Sequence, residues 1–266
     1  MFTRFSLCLI ILLTTSALCQ SADIFSEVNN ELKEARRLIK SENFSKAEKL
    51  LIGALAKIDK LGPDLLTAKT KPLALLAVSQ FAGKKEQEAR ANFYKALNMA
   101  TSISNDGLFF ETAYLVLEST SETSGAAHAL REHLHQLEEK KEDDEQKTNG
   151  RMIVAAHCVL GRHALKHKHA HSAISHYQKA YRLALKIEGK IVMDSPKDSQ
   201  MLSLIPLVFA ETGLAATFNA MGHQALAKRY TLKLLHTLRR TLKFKVLEKH
   251  VAVESARQML LSTVRK

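Results

Sequence analysis

Four times along the chain the same spacing recurs: Ala47-x-x-x-Leu51-x-x-Ala54, Ala89-x-x-x-Phe93-x-x-Ala96, Ala173-x-x-x-Tyr177-x-x-Ala180 and Ala227-x-x-x-Thr231-x-x-Leu234. Positions i, i+4 and i+7 fall on one face of an α-helix, so each set is a stripe that starts with a small residue and, in the first three, ends with one. Small residues let a second helix approach closely, and a bulkier residue between them fills the remaining space. Each stripe follows a separate apolar helical segment and a turn. The spacing therefore predicts a chain of paired helices.

The first helices read as follows. Glu31 to Lys40 precedes a turn at Asn43-Phe44-Ser45, and Gly62-Pro63 closes that unit. The second starts at Pro72, runs through Leu73, Leu76, Ala77 and Phe81, and turns at Gly83. The fourth is His157-x-x-Leu160-Gly161-x-x-Ala164, and the fifth holds Leu214, Ala215 and Phe218 before a turn at Gly222. Between them lies a weaker third unit, Leu108 to Leu117 followed by Ala126-Ala127-x-x-Leu130-x-x-x-Leu134-x-x-Leu137. With 10 Gly, 4 Pro and no Trp among 266 residues, turn-rich β architecture is disfavoured.

The unit at 157–180, with a Leu-Gly pair on its first helix and Ala and an aromatic on its second, resembles a tetratricopeptide repeat (TPR). The resemblance implies an all-α fold, a right-handed α-solenoid of about five antiparallel helix pairs. Its repeat-structural residues are Ala47, Ala54, Ala89, Phe93, Ala96, Leu160, Gly161, Ala173, Tyr177, Ala180, Ala215, Gly222 and Ala227. Gly161 and Ala173 are expected to form a notch beside which Tyr177 fits. The intervals from Ala47 to Ala89 (42 residues) and Ala173 to Ala227 (54 residues) exceed the usual ~34 of this class, so the array is divergent. Gly189 to Ser199, with Pro196, is the expected insertion.

The ends differ from the middle. Arg4 and the apolar run Leu7 to Leu13, followed by Ala17-Leu18-Cys19, have the form of a signal peptide over 1–19, with Ala22 as a second cleavage point. The run is shorter than the ~20 apolar residues a spanning helix needs. Lipidation at Cys19 is disfavoured because Leu18 is bulky. Export, to the periplasm or outside the cell, is expected. Removal of the leader leaves Cys158 alone, so no internal disulfide can form, and Cys158 is expected to be packed in the core. The helical repeat domain spans 26–238. Residues 239–266 carry Arg239, Arg240, Lys243, Lys245 and Lys249 beside Leu242, Val246, Leu247 and Val251, the pattern of a capping helix; docking on a membrane is the alternative.

Loss of Arg4 takes the formal charge of +12 to +11, which favours acidic proteins or anionic lipid and cell-wall polymer. Nucleic acid fits least, since the basic residues do not interleave with aromatics. The run Glu138 to Glu145 reads as a solvated helix end or loop. Six of the twelve histidines lie between His157 and His176, and they read as a surface cluster; a metal reading would use His163, His167, His169 and His171. Lys166 and Lys168 within the cluster oppose a dication. No catalytic motif and no cofactor site is present in the sequence, so a non-enzymatic scaffold is expected.

By the resemblance, partners lie along the face made by the first helices. That face maps to Leu32, Arg36 and Lys40, then Ala74, Val78 and Phe81, then Cys158, Arg162 and Lys166, and last Thr212, Ala216 and Asn219. Arg36, Lys40, Phe81, Arg162, Lys166 and Asn219 are the expected partner-binding residues, and the expected partner is an acidic protein or peptide.

Overall fold

The computed structural model describes residues 23–62, 65–121, 125–139, 145–194 and 197–241. The expected leader (1–19, or to 22), Pro63, and the basic segment from Leu242 onward lie outside these residues. Ten helices and no strand occur among the described residues: α1 (23–40), α2 (Phe44–Leu61), α3 (Leu66–Ala82), α4 (Glu86–Ser102), α5 (Asp106–Ser119), α6 (Ala126–Glu139), α7 (Glu145–Lys166), α8 (Ala170–Asp194), α9 (Lys197–Ala220) and α10 (Gln224–Thr241). The fold is all-α, and within each of its two compact units helices pack against their chain neighbours as in an α-solenoid. No described helix is long and apolar enough to cross a membrane.

The chain divides between Ile103 and Ser104 into two compact units. In the first, α2 packs on α3 and α3 on α4. Lys57 of α2 joins Glu27 and Glu31 of α1 at 2.9 and 2.7 Å, and Lys69 of α3 meets Asp59 of α2 at 2.6 Å. Leu51, Ile58, Leu73, Phe93 and Leu97 are fully buried, each such side chain contributing roughly 1.5–3 kcal/mol. In the second unit α5 to α10 form three pairs, and α7 touches both α5 and α9. Phe109, Leu130, Met152, Leu160, Leu207 and Leu214 make its core. Asn105 starts α5, its side-chain oxygen accepting from the Leu108 N–H at 2.9 Å.

Four pairs are joined by the same three-residue turn. Its middle residue is left-handed: Glu42 (φ 59°), Lys84 (φ 62°), Lys168 (φ 65°) and Gly222 (φ 76°). The third residue's N–H reaches five residues back, Asn43 to Leu38, Lys85 to Gln80, His169 to Ala164 and His223 to Phe218, all at 2.8–2.9 Å. These are the bonds of a Schellman ending, which satisfies the last carbonyls of the first helix. The same third residue accepts from Ala47, Ala89, Ala173 and Ala227, which stand at the fourth position of the second helix in every case. All four alanines are buried, with Ala54, Ala96, Ala180 and Leu234 beside them on the same stripe. The repeat seen as spacing is thus a repeat of backbone geometry.

Several boundaries correct the sequence reading. Pro72 does not begin α3 but lies inside it, after a first turn that starts at Leu66. The missing N–H costs one intrahelical bond, which a helix buried from Leu73 to Phe81 tolerates. The left-handed position after α3 is Lys84, while Gly83 has φ −77°. The expected insertion Gly189 to Ser199 is mostly helix, since α8 (25 residues) runs to Asp194 and α9 (24 residues) starts at Lys197. One glycine costs about 1 kcal/mol, which a helix of that length absorbs. The wide interval therefore comes from longer helices. Of the acidic run, Glu138 and Glu139 end α6 and Glu145 begins α7, and 140–144 lie outside the described residues.

Candidate functional site

The first helices of three consecutive pairs, α5, α7 and α9, turn one face each toward a cavity of about 370 Å³ in the second unit. From α5 come Phe110, Tyr114 and Glu118, four residues apart. From α7 come Cys158, Val159, Arg162, Leu165 and Lys166, and from α9 Phe209, Thr212, Gly213 and Ala216. This spacing is the 3.6-residue period of a single helix face. Tyr177 of α8 also lines the cavity, reaching it between α7 and α9.

Tyr177 reaches the cavity because two helices lack a side chain in its path. A Cβ on Gly161 would come within 3.0 Å of the ring, and one on Gly213 would overlap it outright. Gly161 of the expected notch does face the ring, and Gly213 faces it as well, a contact that nothing in the spacing of the sequence announces. Burial pushes the Tyr177 hydroxyl well above its ordinary pKa, so it stays neutral. Cys158 is buried, and its thiol is likewise pushed up by desolvation, which leaves it protonated and unreactive.

The floor is aromatic. The rings of Phe110 and Phe209 stack with centroids 4.1 Å apart, and Tyr114 lies 5.7 Å from Phe110. The rim is charged. Arg162 donates from Nε (3.2 Å) and Nη2 (3.1 Å) to Oε1 of Glu118, and its guanidinium sits 5.1 Å from the centre of the Tyr114 ring. Lys166 donates through Nζ to the backbone oxygen of Glu118 at 2.7 Å, with the Glu118 carboxylate 3.7 Å away. Two cations and one carboxylate leave a net positive rim over an apolar floor.

Of the expected groove residues, Cys158, Arg162, Lys166, Thr212 and Ala216 come together here. Asn219 is exposed near the end of α9, outside the lining. In the first unit Arg36 and Lys40 are exposed on α1, but Leu32, Ala74, Val78 and Phe81 are buried, so the second helix pair offers core there and not surface. The reason is that α3 packs on both α2 and α4, and a helix buried without a break from Pro72 to Phe81 has no outward face to present there. The residues that the sequence reading missed are Phe110, Tyr114, Glu118, Val159, Leu165, Phe209 and Gly213. Aligning the weak third unit on α7 would have brought out the first three.

The histidines are not the surface cluster expected. His157 and His163 are buried, His176 is half-buried, and only His169 and His171 are exposed. His157 and His176 meet Nδ1 to Nδ1 at 3.0 Å, and burial holds both pKa values down to about 4. His163 and His167 do share a face, with ring centroids 4.6 Å apart. Among the described residues no three His, Cys, Asp or Glu side chains are placed to hold a metal ion, so His163, His167, His169 and His171 do not form a ligand set. No protein-family model matches the chain. No curated protein matches it.

Proposed function

We propose that this chain is an exported, non-enzymatic scaffold of the TPR-like kind, which holds a protein or peptide segment in the α5–α7–α9 cavity. The observation that carries the reading is the common origin of the cavity walls. Three first helices contribute corresponding faces, and the matching Schellman turns after α7 and α9 support treating those two pairs as repeats of one unit. The cavity volume lies near the lower end of the ~300–1,000 Å³ typical of ligand sites. The leader-like segment from Arg4 to Cys19 supports export. The positive rim favours an acidic partner.

The test is affinity capture with the mature chain from its exported compartment, comparing wild type with Ala216→Trp, which fills the cavity. Selective loss of a captured partner, with the helical circular dichroism unchanged, is the expected result. The same partner captured by both proteins removes the cavity from the account.

A further inference from the structure

We propose that Glu118 stands in for a ligand carboxylate. The cavity then takes a peptide segment with one large apolar side chain on the Phe110–Phe209 floor and a neighbouring Asp or Glu that replaces Glu118 on Arg162 and Lys166. This rests on the cavity being the binding site, and it names the ligand.

The geometry of the rim carries the argument. Both Arg162 donors fall on one oxygen, Oε1, at 3.2 and 3.1 Å, while Oε2 has Lys166 no closer than 3.7 Å. Charge-assisted bonds between such groups ordinarily run ~2.7–2.9 Å, so the carboxylate is held loosely. The three side chains are 47% (Arg162), 40% (Lys166) and 31% (Glu118) exposed, which leaves the pair screened by water and cheap to separate. A ligand carboxylate arriving with an apolar side chain over the aromatic floor would exclude that water, and the same cations would then hold it more strongly. The charge count selects the sign: displacing the Glu118 carboxylate frees Arg162 and leaves Lys166, still bonded to the Glu118 backbone oxygen, with no carboxylate of Glu118 beside it, so a basic segment would meet repulsion. The volume of about 370 Å³ admits one or two large side chains and not a whole helix.

A displayed library of random dodecapeptides, selected on the mature protein, tests this. The expected winners combine Phe, Leu, Ile or Met with an adjacent Asp or Glu. The best such peptide should bind Glu118→Gln about threefold tighter or more, and Arg162→Ala about tenfold weaker or more. Peptides blocked by Ala216→Trp but without acidic bias, or bound no better by Glu118→Gln, overturn the role of Glu118 and leave the cavity reading intact. Peptides that bind Ala216→Trp equally well, or no enrichment at all, overturn both. Circular dichroism of each variant separates lost binding from lost folding.

Discussion

The ring of Tyr177 on α8 occupies the space that a side chain on Gly213 of α9 would need, so the two residues fix the spacing of neighbouring helix pairs. The ring is buried, and its other edge lies against Gly161, so a shift away from Gly213 towards α7 brings it against that helix. Gly213→Ala should therefore destabilise the protein by about 1–3 kcal/mol, despite the gain in helix propensity. Gly161→Ala, where the approach is 3.0 Å, should change stability by less than about 1 kcal/mol. Urea unfolding of both, with Tyr177→Leu as the coupling partner, measures this; additive effects of Gly213→Ala and Tyr177→Leu would contradict it.

Acid should weaken the second unit through His157 and His176. Burial is the first cause of their low pKa values of about 4; His176 and then Lys179 add to it for His157, and Arg131 and Lys179 add to it for His176. Glu138 lies 3.6 Å from the other His157 nitrogen, half-exposed, and offsets only part of this. In the unfolded chain both rings bind protons near pH 6.5, whereas in the folded chain they resist until about 4. Stability contributed by the neutral pair is full above pH 6.5 and falls as pH drops towards 4. The loss should be on the order of 3 kcal/mol for each ring. The double variant His157→Leu/His176→Leu should flatten that slope in denaturant titrations at pH 7.5, 6 and 4.5.

The repeated turn offers a test by exchange. Gly222 (φ 76°) meets no Cβ obstacle, so Gly222→Ala acts through backbone strain alone. It should cost roughly 1–2 kcal/mol. The reverse change at an equivalent position, Lys168→Gly (φ 65°), should stabilise by up to about 1 kcal/mol. Thermal melts of the two variants moving in the same direction would contradict the equivalence of these turns.

Much of the fold was legible because it is local. The stripe from Ala173 to Ala180 and its three counterparts needed only the period of one helix, and the Schellman turns follow from where those stripes begin. The cavity was half legible. Arg162, Lys166, Thr212 and Ala216 fell out of the helix phase, but Glu118 lies 44 residues from Arg162 and joins it only after α5 packs on α7. Gly213 was hidden for the same reason, since its meaning depends on a ring from another helix. Pro72 misled because the helix around it is buried and absorbs the lost bond, and Gly189 because a 25-residue helix absorbs one glycine; Pro196 lies outside the described residues.

The charged rim should separate binding from stability. Arg162 and Glu118 are water-exposed enough that Arg162→Ala or Lys166→Ala should shift unfolding by less than about 1 kcal/mol. A large loss of stability in either variant would make the rim a structural feature and not a recognition surface.

The most direct measurement is the affinity of one selected acidic-apolar peptide for wild type and for Ala216→Trp at matched thermal stability. A drop of about tenfold or more is predicted, because the tryptophan would take the space the ligand's apolar side chain needs. Equal affinities would contradict the claim that the cavity between α5, α7 and α9 is where this protein holds its partner.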